Sequence, residues 1–158
     1  MKKILSLLPA LFAMFIMSSC SDDDNAGLPE VQISLEYSGA ADENGIIIVE
    51  QGQDITIDGL YVTPAEGAKN ATLGTTTYYL DYQPVVTISL APYATVIPTS
   101  HLSLGRHTLQ VRTTIYQVDK EMAWGVFGYE IDVVAPSLDN PEPDGGTLTP
   151  NARITTAE

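Results

Sequence analysis

HTLQVRTTIYQV (residues 107–118) and WGVFGYEIDVV (residues 124–134) are two long runs in which apolar and polar positions alternate. The polar segment Asp119-Lys120-Glu121 lies between them. Side chains along a strand point alternately to opposite faces. Leu109, Val111, Thr113 and Ile115 therefore share one face of the first run. Phe127, Tyr129, Ile131 and Val133 share one face of the second. A short polar tip between two such runs is the link of a β-hairpin, so the two strands should pair antiparallel.

The same alternation extends towards the N-terminus. VQISLEY (residues 31–37) alternates strictly, with its odd positions inward. Gly39 to Gly45 reads as a polar loop, Ile46 to Val49 as a short apolar strand, and Gln51-Gly52 as its turn. Ile55 and Ile57 face inward from the next strand, and Gly59 marks a bulge ahead of Leu60-Tyr61-Val62. Pro64 to Ala71 reads as loop, Thr75 to Gln83 as a central strand and Val85 to Leu90 as its neighbour. All eight tyrosines and a high density of Val, Ile and Thr fall between Glu30 and Ala135, a composition that favours strands. Short runs bounded by Gly, Pro, Asn or Asp predict an all-β sandwich or barrel. The expected fold is a single immunoglobulin-like antiparallel β-sandwich of seven or eight strands over 30–135, with no internal disulfide.

Tyr78-Tyr79-Leu80-Asp81, Pro92-Tyr93 and the run from Leu104-Gly105-Arg106 to His107-Thr108-Leu109 together resemble a pattern found in bacterial extracellular Ig-like modules. The resemblance covers about a third of the mature chain. It implies a fold and says little of function, because such folds host many unrelated roles.

The N-terminus carries a second resemblance. Lys2 and Lys3 precede an apolar run from Ile4 to Met17, followed by Ser18-Ser19-Cys20, the layout of a secretory signal peptide over residues 1–19. The apolar run is shorter than the roughly 20 residues of a membrane-spanning helix. Met17-Ser18-Ser19-Cys20 resembles the bacterial lipobox, with Met17 where that family usually has Leu. The resemblance implies that the chain's one cysteine, Cys20, is acylated and becomes the mature N-terminus, bound to outer-membrane lipid. Ser21-Asp22-Asp23-Asp24 resembles the acidic export tag of lipoproteins carried to the cell surface. Residues 20–29 then form a lipidated acidic tether, at most about 30 Å long when extended.

Cleavage would remove Lys2 and Lys3 and no acid, deepening the net charge from −13 to about −15. Such a surface repels phosphate backbones, so nucleic acid is not an expected partner. At the other end, Pro136, Pro141, Pro143 and Pro150 with Gly145-Gly146 predict a disordered tail over 136–158.

Chemistry-bearing residues are few. His101 and His107 are the two histidines; with a carboxylate they could ligate zinc, but the recognisable three-ligand spacing of catalytic zinc sites is missing, and His107 at a strand start suits a structural hydrogen bond. The sequence contains no nucleophile elbow and no phosphate-binding glycine loop. The reading is of a non-enzymatic module with no metal or cofactor. By strand parity Tyr79, Tyr116 and Trp124 point away from the core on one sheet. Clustered outward aromatics of this kind mark binding surfaces. A glycan or a protein outside the cell is the expected ligand, and an accessory subunit of a surface complex or pilus-like fibre is the alternative role.

Overall fold

A computed structural model describes residues 27–150 and 153–157. The leader, Cys20 and the Ser21–Asp24 run lie outside the described residues. Among those described, eleven strands and no helix are present: β1 (Val31–Ser38), β2 (Ala41–Glu43), β3 (Ile46–Glu50), β4 (Ile55–Pro64), β5 (Ala71–Leu80), β6 (Gln83–Ile88), β7 (Thr95–Ile97), β8 (Gly105–Gln117), β9 (Ala123–Val134), β10 (Gly146–Leu148) and β11 (Arg153–Thr156).

They form two sheets packed face to face, a β-sandwich. One sheet has the order β10-β1-β4-β7 and the other β2-β3-β9-β8-β5-β6. β8 and β9 pair antiparallel from Gly105–Val133 to Ile115–Ala123, the hairpin that alternation predicts. Their inward residues Leu109, Val111, Ile115, Phe127 and Ile131 have no solvent exposure. Burying a side chain such as Phe127 stabilises the fold by about 1.5–3 kcal/mol. Against them pack Ile33, Leu35 and Tyr37 of β1 and Ile55, Ile57 and Leu60 of β4. Thr113 occupies a core position at no polar cost, because its Oγ1 lies 2.8 Å from that of buried Thr76.

A bulge at Asp58 and Gly59 keeps β4 useful on both sides of it. Tyr37 pairs with Ile57 and Glu36 with Gly59, so one residue of β4 is left over. The extra residue reverses parity and turns Leu60 into the core. β3 pairs with β9 in parallel, from Ile46–Glu130 to Glu50–Val134, the one parallel pairing among the described residues. The chain thus leaves the first sheet after β1, crosses to the second for β2 and β3, and returns as β4.

Several expectations are corrected. Nine of the described strands, β1 to β9, fall within 30–135, where seven or eight were expected, and β10 and β11 lie beyond it. Residues 41–43 of the expected Gly39–Gly45 loop form β2 against β3. The central strand β5 begins at Ala71 and ends at Leu80, earlier than the expected span to Gln83. Asp81 and Tyr82 both take positive φ (47° and 66°), a two-residue turn whose twist matches a hairpin, and Gln83 already belongs to β6. β7 had no recognisable run of its own. The segment 136–158 is also not wholly disordered. β10 pairs with β1 and β11 with β9, since the open edges of those strands offer unpaired backbone groups to residues too poor in apolar surface to fold alone.

Candidate functional site

The second sheet turns one face to the core and the other to solvent, and β5, β8 and β9 run side by side along its middle. Residues opposite one another on neighbouring strands share a face. Thr87, Thr77, Arg112, Val126 and Arg153 are paired in sequence across five strands, forming one row on the outer face. The row towards the β8–β9 tip holds Thr114, Trp124 and Thr155, and the row on the other side holds Tyr79, Gln110 and Gly128.

A groove of about 360 Å³ is lined by Thr77, Tyr79, Arg112, Trp124, Val126 and Thr155. Trp124 is 41 % exposed, so strand parity runs unbroken through Gly125. A glycine is required at that position on the inward side: a Cβ there would lie 2.7 Å from the Phe127 ring and 2.9 Å from Ile115. The Arg112 guanidinium stacks over the Tyr79 ring at 4.8 Å. Its Nε donates to Gln110 Oε1 at 3.1 Å. These contacts hold the arginine flat between the two aromatic residues, which by strand spacing are roughly 16 Å apart.

Tyr116 also faces outward, 45 % exposed, but the structure does not bring it into this groove. Its ring leans over Gly74 on β5, where a Cβ would come within 2.7 Å of it, on the side of β8 away from Trp124. It borders a separate depression with Asn70, Ala71 and Thr72. Arg112, Val126 and Thr155 are groove residues that the sequence reading did not single out. Arg112 has the outward parity of Tyr116, a signal that was present. Thr155 joins through β11, for which no sequence signal exists.

His107 and Asp81 meet at the opposite end of β8. His107 Nδ1 lies 2.7 Å from Asp81 Oδ2 and Nε2 lies 2.9 Å from the Ser103 carbonyl. Asp81 Oδ1 accepts from the Thr108 N–H at 2.9 Å. Both partners of His107 are acceptors, an arrangement that favours the form in which both ring nitrogens donate, the imidazolium. The Asp81 hydrogen bond raises its pKa against a smaller effect of burial. Burial pushes the Asp81 carboxyl up, but the bonds from His107 and Thr108 outweigh it and hold it low. With both nitrogens engaged, this pair ties the Asp81-Tyr82 turn to β8. His101 is an exposed loop residue.

Comparison with protein-family models, with curated proteins and with solved structures finds no match to this chain.

Proposed function

We propose that the chain is a non-enzymatic, lipid-anchored module of the outer cell surface that binds an extracellular glycan or protein through the outer face of its larger sheet. The observation that carries this reading is the groove in which Trp124 and Tyr79 flank Arg112. Exposed aromatic rings give a ligand flat apolar area at little conformational cost, and stacked arginine adds directional donors. The strand orders β3-β9-β8-β5-β6 and β1-β4-β7 support an immunoglobulin-like arrangement. The lipobox at Met17–Cys20 and the acidic Ser21–Asp24 run support attachment through Cys20 and display outside the cell.

Cells expressing the protein are labelled with a palmitate analogue and screened for glycan and protein capture, with Cys20→Ala and Trp124→Ala as variants. Cys20→Ala should abolish the label, and Trp124→Ala should abolish capture while leaving the label intact. Label persisting in Cys20→Ala refutes the anchor. Capture unaffected by Trp124→Ala refutes the groove.

A further inference from the structure

After removal of the leader the chain keeps five lysines and arginines: Lys69, Arg106, Arg112, Lys120 and Arg153. Three are committed to acids within the fold. Lys69 pairs with Asp119, and Lys120 Nζ with Glu30 at 2.5 Å. Arg106 pairs with Glu130 at 2.7 Å and Asp132 at 3.1 Å. Among the described residues, Arg112 and Arg153 have no acidic partner. In a chain with four acids for every base, two unpaired arginines are unexpected.

They are also close together. Both are opposite Val126, one on each side, in the row Arg112–Val126–Arg153. Two strand spacings put their backbones roughly 10 Å apart. Trp124 and Thr155 occupy the adjacent row, and Arg112 is already oriented by Tyr79 and Gln110. The two arginines without an acidic partner among the described residues are thus gathered beside the groove lined by Tyr79 and Trp124.

We infer that the groove, where two neighbouring arginines locally offset the acidic surface, binds an acidic saccharide, a uronate-containing chain. One sugar face stacks on Trp124, and carboxylates engage Arg112 and Arg153. A guanidinium's fork of donors matches a carboxylate two bonds at a time. The groove also discriminates against an extended acidic peptide. Peptides captured by sheets add at an edge through main-chain hydrogen bonds. Here the floor is the sheet interior, where β8 is paired on both sides and the groove end of β9 is covered by β11. The nearest open edge is therefore the outer edge of β11, at the rim of the groove and not on its floor. Recognition is left to ring faces, guanidinium groups and the Thr77 and Thr155 hydroxyls, a set that suits sugar rings.

This inference rests on the binding reading above, and its test separates the two. The mature chain, residues 20–158 in detergent, is titrated calorimetrically with tetrameric galacturonate, glucuronate and mannuronate. The methyl ester of each, neutral cellotetraose and a glutamate-rich octapeptide serve as comparators. At least one uronate should bind ten-fold or more tightly than its ester. Arg112→Gln and Arg153→Gln should each lower that affinity about ten-fold without changing ester binding, and Trp124→Ala should weaken both. All three positions are exposed, and circular dichroism of each variant checks that the fold is retained. Equal affinity for acid and ester, or indifference to both arginine variants, overturns the acidic preference. Capture of the octapeptide at least as tight as any uronate overturns the saccharide class. No uronate binding at millimolar concentration overturns the inference outright; Trp124-dependent capture of another ligand on cells would then leave the binding reading standing.

Discussion

Tyr78 and Tyr129 both bury a phenol in the core, and deleting one oxygen from each is expected to move stability in opposite directions. The Tyr78 hydroxyl donates to the Tyr93 carbonyl at 2.8 Å, and the Tyr93 hydroxyl donates to the Leu73 carbonyl at 2.6 Å. This relay fastens the 90–94 loop, in which Tyr93 holds a φ of 65°, to β5. The Tyr129 hydroxyl is equally buried but has no hydrogen-bond partner among the described residues. Tyr78→Phe leaves a buried carbonyl unsatisfied and should cost about 1–3 kcal/mol. Tyr129→Phe removes a desolvated hydroxyl that gains nothing in return, so it should be neutral or stabilise by about 1 kcal/mol. Urea unfolding followed by circular dichroism measures both. With a slope of roughly 1–3 kcal/mol per molar, a 2 kcal/mol loss lowers the midpoint by about 1 M. A loss for Tyr129→Phe as large as that for Tyr78→Phe would refute the reasoning, because the Tyr129 hydroxyl would then be hydrogen-bonded in solution.

Val111 has no exposure while Gln110 faces out beside Tyr79, so Val111→Asp should abolish the β-type circular dichroism spectrum and Gln110→Asp should cost under about 1 kcal/mol. Similar behaviour of the two would refute the parity of β8. The raised pKa of His107 means that its contribution is complete below the ordinary value of 6.5 and is lost as pH rises through the higher folded value. His107→Gln should therefore cost about 1 kcal/mol at pH 6, a figure reduced for screening at half-exposed Asp81, and less at pH 9; urea midpoints at the two pH values check the sign. Trp124 is the sole tryptophan, so acrylamide should quench the folded protein's emission readily, and emission shielded until unfolding would contradict its outward position.

What the sequence discloses follows from how much apolar surface each segment carries. β8, β9 and β1 are legible because each has three or more inward residues at strict two-residue spacing. Ile33, Leu35 and Tyr37, for example, are all buried as parity requires. β2, β7, β10 and β11 are three or four residues long, and such segments have no period to read. They become strands because a neighbouring edge supplies hydrogen-bond partners, a tertiary cause absent from local sequence. The outward orientation of Tyr79 and Trp124 was readable for the same reason as the core. That Arg112 stacks on Tyr79 and that Arg153 joins its row depend on register between strands distant in sequence, which alternation does not define.

Both ends of the folded unit emerge at the β8–β9 tip. Glu121 N donates to the Gly27 carbonyl at 3.0 Å, and Ala157 N donates to the Met122 carbonyl at 3.2 Å. Gln117 tightens the same corner, accepting from Glu30 N at 2.7 Å and donating to the Lys69 carbonyl at 2.8 Å. With Cys20 as the proposed anchor, that tip is the membrane-proximal pole and the Asp81-Tyr82 turn the distal one, roughly 40 Å higher by the length of β8. The strands would then stand upright on the bilayer with the arginine row facing sideways. A polymer lying along that row, which crosses the strands, would run level with the membrane.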